Sequence, residues 1–422
     1  MKIQHFELVN FRGIEHMSLE FSAQTTALVG VNGVGKSSVL DALAISLSNL
    51  TARITGQPTK ARSMSKDDIR IGADFARLST TAELDSSSPT FWAVALNRKA
   101  GKHDPERSSD LHDLKLHTEL LDFTLEFCET VEEAIDLPLA VYYDVHRAVL
   151  NVPLRVREKH IASARAAYTD ALGHGGTDFK AFFIWFRTKE DAENEVIRDN
   201  PNYRDRHLSA VRQAIEQFTQ FTDLRIRRKP ALRMTVKKAN TEFNVLQLSD
   251  GEKCMLALVG DLARRLSLLN TKRIDPLQGE GVVLIDEIDL HLHPRWQRTV
   301  VASLERTFPN CQFIITTHSP QVIGELAAAS VMLLRDGSFR GHPERSLGLD
   351  SGEVLEELMD GQARNPQVAE ELLMIRRAID DDALAEAQAL LETLKARVGE
   401  IPDVLEAQSA VDSLKWLEDD KA

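Results

Sequence analysis

Apolar and polar residues follow two different periods along the first third of the chain. Residues 2–8 alternate, and the short apolar stretches 17–21 and 25–30 are bounded by turn residues, so all three predict strands. Residues 38–50 carry apolar side chains at the spacing that predicts a helix. The following stretch, 51–115, is rich in Ser, Thr and Asp and predicts loops and short strands.

The rest of the chain changes several times between helical and strand patterns. Helical spacing covers residues 157–172, 179–198, 207–221, 295–308 and almost everything after 351. Strand patterns cover residues 137–145, 224–230, 232–238, 281–290 and 311–320, and residues 331–339 predict a closing hairpin. We therefore expect an α/β fold.

Three glycines fall within residues 30–37, directly after a predicted strand and directly before a predicted helix. This stretch, GVNGVGKS, fits G-x-x-x-x-G-K-[ST] in the context that the motif requires. Glycines let the loop turn several backbone N–H groups inward to hold a polyphosphate, and the helix N-terminus adds a favourable dipole. We expect Lys36 to reach the outer phosphates and the Ser37 hydroxyl to ligate Mg²⁺. An ordinary glycine-rich turn is the alternative.

An acidic pair and a histidine follow two further predicted strands. The apolar run 282–285 ends at Asp286 and Glu287, and the run 313–317 ends at His318. Ligands of such sheets lie beyond the carboxyl ends of the strands. Asp286 is a candidate for Mg²⁺ binding, and Glu287 for orienting and deprotonating the attacking water. His318 is a candidate sensor of the terminal phosphate, and a purely structural histidine is the alternative.

The stretch 248–252, LSDGE, lies between the phosphate loop and the acidic strand. With these motifs in this order, the chain resembles the ABC-type ATPases, and within them the SMC and RecF-like branch. Residues 11–13, FRG, resemble the opening motif of that branch, in which the arginine approaches the nucleotide. The resemblance covers the motifs and says little about residues 51–240 or those after 345.

The resemblance implies ATP and Mg²⁺ as cofactors and assigns roles to particular residues. The implied nucleotide-binding residues are Arg12, Asn32, Gly33, Gly35, Lys36, Ser37, Ser38, Ser249, Gly251 and Asp289. The implied catalytic residues are Glu287 and His318, and the implied metal ligands are Ser37 and Asp286. In this family Ser249 and Gly251 would reach across a two-fold interface to the ATP of a partner chain. That arrangement implies a homodimer with two shared ATP molecules, or a larger assembly built from it.

The implied architecture is an ABC-type ATPase head with a helical insertion and a C-terminal helical extension. We expect an N-terminal lobe over 1–150, a mainly helical basic insertion over 151–240 and a C-terminal lobe over 241–345. An acidic helical extension over 346–422 would serve a partner or self-assembly. Residues 145–240 hold 19 Lys and Arg against 11 Asp and Glu, whereas residues 341–422 hold 8 against 20.

This division of charge suggests different partners for the two segments, although solvated helix faces would explain it equally well. In the basic insertion, residues 225–229 and 237–238 are candidates for contact with nucleic-acid phosphates, with a solvated strand edge as the alternative.

The whole chain has 422 residues, 43% hydrophobic and 27% charged, with a net charge of −13. No run is long and apolar enough for a bilayer, the N-terminus lacks the apolar core of a signal peptide, and three widely spaced cysteines form no framework. We expect a cytoplasmic protein without a membrane partner.

A closer resemblance connects the chain with the compact bacterial ATPases of anti-phage systems, including the Septu ATPase subunit and its retron-associated relatives. It rests on the run 286–297, DEIDLHLHPRWQ, and on a Tyr-Tyr pair at 142–143 that Arg147 follows. In that family a separate HNH-type nuclease is controlled by the ATPase, and we expect no nuclease site in this chain. A RecF-like ATPase acting on DNA ends or gaps is the alternative, and a zinc site at His291 and His293 is disfavoured by its poor ligand set.

Overall fold

The computed structural model of the chain describes residues 1–84, 88–99, 104–119, 136–145, 164–173 and 179–419. Two compact units make up the chain, Met1–Leu349 and Asp350–Ala422. Arg147, residues 157–163 of the helix expected over 157–172 and the domain boundary expected at residue 150 lie outside the described residues. In the described part of that expected helix, Ala164–Tyr168 form a short 3₁₀ helix. Within the described ranges, no helix is both long enough and apolar enough to cross a membrane.

The strands and helices have the following bounds. The strands are β1 (Lys2–Phe11), β2 (Ile14–Glu20), β3 (Thr25–Val29), β4 (Phe75–Glu83), β5 (Thr90–Asn97), β6 (Leu139–Tyr143), β7 (Thr222–Arg227), β8 (Arg233–Lys238), β9 (Thr241–Asn244), β10 (Gly281–Ile285), β11 (Cys311–Thr317), β12 (Val331–Arg335) and β13 (Ser338–Gly341). The helices are α1 (Lys36–Ile54), α2 (Phe179–Asp199), α3 (Arg206–Thr219), α4 (Asp250–Leu269), α5 (Pro294–Gln297), α6 (Val300–Thr307), α7 (Pro320–Ile323), α8 (Ser351–Leu358), α9 (Pro366–Asp380), α10 (Leu384–Val398) and α11 (Pro402–Asp419).

A six-stranded sheet forms the centre of the first unit, in the order β13-β12-β3-β11-β10-β6. All its pairs are parallel except β12 with β13. Every residue of β3, β6, β10 and β11 is buried, which explains their continuous apolar runs. Because parallel strands end at the same edge, the segments that follow β3, β10 and β11 come together there. These segments are the phosphate loop, the acidic pair and His318.

Two antiparallel sheets complete the first unit, β2-β1-β4-β5 and β7-β8-β9. Strands β4 and β5 have nine and eight residues, so the prediction of loops and short strands for this stretch was partly wrong. The strand pattern was hidden because polar residues of β4 face inward. Ser79 and Thr80 are both buried, and the Thr80 hydroxyl lies 2.5 Å from the Ser46 hydroxyl.

The helix expected over residues 295–308 is divided into α5 and α6. The break is at Thr299, whose backbone N–H donates to the carbonyl oxygen of Trp296, three residues earlier, at 3.0 Å. The Thr299 hydroxyl donates to the same carbonyl at 3.3 Å. A short polar side chain that bonds its own backbone competes with helical hydrogen bonding, and this accounts for the break.

The second unit contains α8 to α11, and it confirms the helices expected after residue 351. Its apolar core joins three of these helices through Leu372, Ile375, Leu391, Leu394 and Val404. These residues recur at helical spacing, so that one face of each helix is buried.

Candidate nucleotide-binding site

The phosphate loop leaves β3 and enters α1 through two left-handed glycines. Gly33 has a φ of 84° and Gly35 a φ of 99°, in a region that L-residues with a side chain rarely adopt. Gly30 is required for a steric reason, because a Cβ there would lie 2.3 Å from the carbonyl oxygen of Leu334 on β12. The glycines therefore fix the shape of the loop, and Asn32 at its tip is exposed.

Lys36 lies over the loop and is only 6% exposed. Its Nζ donates to the carbonyl oxygens of Gly30 at 2.8 Å and Val31 at 3.1 Å. Burial lowers the pKa of the Lys36 ammonium, whereas the nearby charges of Asp286 and Glu287 act to raise it. These carbonyl contacts are hydrogen bonds that an ammonium group can exchange for phosphate oxygens.

A hydroxyl–carboxylate pair stands beside the lysine. The Ser37 Oγ donates to Asp286 Oδ1 at 3.1 Å, and Thr316 Oγ1 on β11 donates to the same oxygen at 2.5 Å. Mg²⁺ bound with a nucleotide takes one or two protein oxygens and completes its shell with phosphates and waters. One hydroxyl and one carboxylate at this separation fit such an ion.

Glu287 follows Asp286, the candidate metal ligand, and its own backbone is strained. Its φ is 46°, in the left-handed region, and its N–H donates to Thr316 Oγ1 at 2.7 Å. Strain of this kind persists where the surrounding structure fixes the backbone, here through the threonine hydroxyl. The turn directs consecutive carboxylates, those of Asp286 and Glu287, into one region at the sheet edge.

His318 belongs to a small network with Asp289. Thr317 Oγ1 donates to Asp289 Oδ1 at 2.6 Å, and the N–H of His318 lies 3.4 Å from the same oxygen. Burial and the positive charge of Lys36 lower the pKa of the His318 imidazole, which is therefore neutral at pH 7. A neutral imidazole can either donate or accept a hydrogen bond at a phosphate.

Arg12 is held by two carboxylates. Its guanidinium lies 2.8 Å from Asp41 on α1 and 2.8 Å from Asp68, while Arg62 contacts the same Asp41 at 2.9 Å. Burial acts to lower the pKa of Arg12, but the bonds to Asp68 and Asp41 raise it. Arg12 is thus tied to the helix that begins at the phosphate loop, and Ser38 is half-buried in the first turn of that helix.

The signature turn is at the start of α4. Ser249 is its N-cap: the Ser249 hydroxyl donates to Glu252 Oε2 at 2.8 Å and accepts from the Glu252 N–H at 3.4 Å. Lys238 on β8 contacts the other oxygen of Glu252 at 2.5 Å. A Cβ on Gly251 would lie 2.5 Å from the carbonyl oxygen of His291, so only glycine fits.

The sequence-predicted site residues therefore form two groups. The phosphate loop, Asp286, Glu287, Asp289 and His318 meet at the edge of the parallel sheet. Ser249 and Gly251 stand at the N-terminus of a different helix, against the backbone of residue 291.

The residues after Asp289 do not assemble a metal site of their own. His293 caps α5, with its Nδ1 accepting from the N–H of Arg295 at 3.2 Å. Among the described residues, no three His, Cys, Asp or Glu side chains are grouped to hold a metal ion. The sequence analysis disfavoured zinc here, and the cap gives His293 a structural role.

The basic strands β7 and β8 have much of their charge matched within the chain. Arg227 contacts Glu242 at 2.6 Å, and Lys237 contacts Asp223 at 3.0 Å. Arg225 and Arg228 also form ion pairs, with Asp223 and Asp191. These pairs favour the alternative of a solvated strand surface over a phosphate-binding face.

Sequence reasoning missed three participants, Thr316, Asp41 and Arg62. Two threonines end the otherwise apolar β11 just before His318, and that polar ending was a usable signal. Asp41 pairs with Arg12 and Arg62, which are more than 20 positions away in the sequence, and no local sequence pattern predicts these pairs.

Comparison with known proteins agrees with this geometry. Residues 25–324 match the family model described as "AAA domain, putative AbiEii toxin, Type IV TA system". The chain is 32% identical over 432 residues to "Retron Ec83 probable ATPase" of Escherichia coli, covering 87% of this chain and 78% of that one. It is 28% identical over 387 residues to "Retron Vc95 probable ATPase" of Vibrio cholerae serotype O1 biovar El Tor, covering 81% and 74%.

Septu protein PtuA of Bacillus thuringiensis is 23% identical over 396 residues, covering 90% of each chain. The family model spans more than half of the chain, and the first relative is similar over most of both lengths. The chain therefore belongs to this AAA-domain family and is a P-loop ATPase similar to the retron ATPases and to Septu protein PtuA.

Proposed function

We propose that the chain is an ATP-dependent switch in which two copies bind two ATP molecules between them. In this proposal the dimer controls a separate HNH-type nuclease. The observation that carries this proposal is the contact between Ser37 Oγ and Asp286 Oδ1, 3.1 Å long, beside the buried Lys36. It joins the phosphate loop to the acidic strand end, as nucleotide hydrolysis requires.

In this proposal each residue at the sheet edge has a separate task. The loop N–H groups and Lys36 bind the phosphates, and Ser37 with Asp286 holds Mg²⁺, which neutralises phosphate charge when bound. Glu287 orients and deprotonates the attacking water. The neutral His318 donates a hydrogen bond to the terminal phosphate, while Asp289 keeps its segment in position.

The signature turn supplies the second half of the proposed site. Ser249 and Gly251 stand on a helix N-terminus, where backbone N–H groups and the helix dipole favour an anion. Because the same turn exists in both copies, a two-fold arrangement would complete both sites at once. Loss of the terminal phosphate would remove contacts on both sides of the interface, so hydrolysis opens the dimer.

A mixing experiment tests whether ATP is shared between chains. Lys36→Ala removes the ammonium group that would bind the phosphates. Ser249→Arg puts a large side chain where the signature turn would contact the ATP of the other copy. Each variant alone is therefore expected to be inactive. In the mixed dimer, one site keeps Lys36 from one copy and Ser249 from the other. Random pairing of equal amounts should restore about a quarter of the wild-type ATP turnover. A mixture no more active than its separate components contradicts the shared site.

Asn365→Arg provides the matched control for Ser249→Arg. Asn365 caps α9 in the second unit, accepting from the N–H groups of Gln367 and Val368. The same substitution therefore removes a helix cap at a position outside the signature turn. We expect it to keep wild-type turnover and to give no complementation effect when mixed with Lys36→Ala.

Control of a nuclease is tested by sequencing the genes beside this one and co-expressing the chain with any HNH-type nuclease that they encode; the absence of such a gene would contradict the proposal. The expected result is co-purification, with nuclease activity that differs between the wild-type ATPase and Glu287→Gln. If the two proteins do not associate and the ATPase binds gapped DNA tightly, the RecF-like alternative replaces the proposal. The ion pairs of β7 and β8 argue against that outcome, because they offset the charges that would meet DNA.

A further inference from the structure

A cavity of about 620 Å³ lies away from the phosphate loop. Its walls are the C-terminal half of α1 from Ser48 onward, the turn around Lys60 and the segment 164–173. Ser48 is eleven residues beyond Ser37 on one helix, which corresponds to roughly 16 Å at about 1.5 Å per residue. The volume is typical of sites for small molecules, which range from about 300 to 1,000 Å³.

Positive charge dominates this cavity although the whole chain is acidic. Among the described charged side chains that line it, Lys60, Arg62 and Arg165 are cationic and Asp170 is anionic. No described residue forms an ion pair with Lys60 or Arg165, in contrast to the basic side chains of β7 and β8. Two cations in one concave site that pair with no acidic side chain of the described ranges are an arrangement that attracts an anion.

The rest of the lining suits a molecule with a polar and an apolar part. Thr51 on α1 and Thr55 just after it line one wall, whereas Ala52, Ala166 and Leu172 supply apolar surface. A phosphate-bearing small molecule with a flat organic part, such as a mononucleotide, matches both properties. A simple inorganic anion would use only the cations.

The segment 164–173 is held firmly enough to form a wall. Arg265 donates to the carbonyl oxygen of Thr169 at 3.2 Å and also to that of Ala167. The N–H of Tyr142 donates to the carbonyl oxygen of Ala171 at 2.7 Å, and the Tyr168 hydroxyl donates to that of Pro138 at 2.6 Å.

We propose that this cavity is a regulatory site for a phosphate-bearing small molecule of mononucleotide size. Lys60 and Arg165 bind the phosphate group, and the apolar wall of α1 and Leu172 receives the organic part. This site is separate from the phosphate loop, and its existence does not depend on the proposed dimer or nuclease.

Two chains of contacts connect the cavity with the ATP site. Arg62 lines the cavity and contacts Asp41 at 2.9 Å, and Asp41 contacts Arg12 at 2.8 Å. On the opposite wall, Arg265 belongs to α4, the helix that begins at the signature turn, and bonds Asp261 at 2.8 Å. A bound molecule that draws the two walls together would therefore act on both α1 and α4, and we expect it to change ATP turnover.

Binding of AMP and of inorganic phosphate, measured by isothermal titration calorimetry, tests the site. AMP lacks the outer phosphates that Lys36 would hold, so its binding should persist in Lys36→Ala. It should weaken at least tenfold in the double variant Lys60→Ala/Arg165→Ala. Lys272→Ala, which removes an exposed lysine outside the cavity, is the matched control and should bind like the wild type.

Two results would overturn the site. One is the absence of binding of both probes to the wild type at millimolar concentration. The other is AMP binding that is lost in Lys36→Ala and kept in the double variant, because AMP would then occupy the phosphate loop. Lys60 and Arg165 are exposed, so the double variant should melt within a few degrees of the wild type.

The regulatory role is tested separately by ATP turnover at saturating AMP. We expect at least a threefold change in the wild type and none in the double variant. AMP binding without any change in turnover would overturn the coupling and leave the binding site in place. Failure of the mixing experiment on Ser249 would contradict the dimer but not this cavity.

Discussion

The sheet edge and the signature turn both collect functional residues, but their side chains are engaged in different ways. At the sheet edge, the adjacent Lys36 and Ser37 meet Asp286 from a distant part of the sequence: Lys36 bonds the loop carbonyls and Ser37 bonds Asp286. At the signature turn, the Ser249 side chain bonds Glu252 of its own helix, which in turn is paired with Lys238.

In the proposed switch, one half of the site is assembled within a chain, and the signature turn is the half that would serve the ATP of a second copy. The sheet edge holds two ionisable groups with a lowered pKa, Lys36 and His318, as expected where a charged ligand binds. The signature turn is a well-capped helix N-terminus, whose free N–H groups need an acceptor from outside the helix. Each prediction below alters one half and measures ATP binding, ATP turnover or dimerisation.

The largest effect is expected for Glu287→Gln, which keeps the size of the side chain but removes the base. ATP turnover should fall by about 10²–10⁴-fold, the usual contribution of a general base. ATP affinity should stay within a few-fold of the wild type, and the ATP-bound dimer should accumulate. Phosphate release and size-exclusion chromatography with light scattering measure the two effects. Glu325→Gln, which alters an exposed partner of Arg298, should change neither.

Lys36→Ala should reduce ATP affinity by about 10²–10³-fold, because the charge at the outer phosphates is lost. The matched control is Lys253→Ala, which removes a lysine from the first turn of α4, where it pairs with Asp250 at 3.2 Å. ATP binding by that variant should equal the wild type. ATP affinity is measured with a fluorescent ATP analogue. If both variants lost the same affinity, the sheet edge and the signature turn would not have separate roles in ATP binding.

Ser249→Ala should weaken ATP-dependent dimerisation about tenfold and leave ATP binding by the monomer unchanged. Loss of the N-cap should also lower the free energy of unfolding by about 1 kcal/mol. Asn365→Ala controls for that loss, since it removes a cap in the second unit and should not affect dimerisation. If Ser249→Ala lowered the ATP affinity of the monomer, the signature turn would contact the ATP of its own chain, and the proposed contrast between the two halves would be wrong.

The smallest effect is expected from pH, through His318. Burial and Lys36 lower its pKa below the ordinary value of about 6.5, so the neutral form is present at pH 7. Turnover should stay level as the pH falls from 8 to about 6.5 and decline a few-fold only below the lowered pKa. The stability that neutral His318 contributes is present above about pH 6.5 and is lost below it, since the unfolded chain binds the proton first.

His318→Gln should flatten this pH profile of turnover. A wild-type turnover that rises on acidification would mean that the imidazolium is the active form and would exclude the neutral donor.

Sequence reasoning was strongest where function needs adjacent residues or the end of a strand. The phosphate loop is a local motif, and Asp286 and His318 follow apolar strands whose edge position could be expected. It was weakest for residues 51–115, because the buried polar side chains of β4 obscure the strand pattern. It also missed Thr316, which bonds Asp286 from the neighbouring strand at 2.5 Å.

By itself the sequence determined the α/β class, the glycine-dependent loop and the chemical types present at the sheet edge. These follow from local conformational preference and from the period of the apolar residues. Only the tertiary structure decided that Asp41 joins Arg12 to Arg62, and that Lys60 and Arg165 line one cavity. Such contacts depend on where distant segments pack, because charge pairing acts through space and leaves no periodic pattern along the chain.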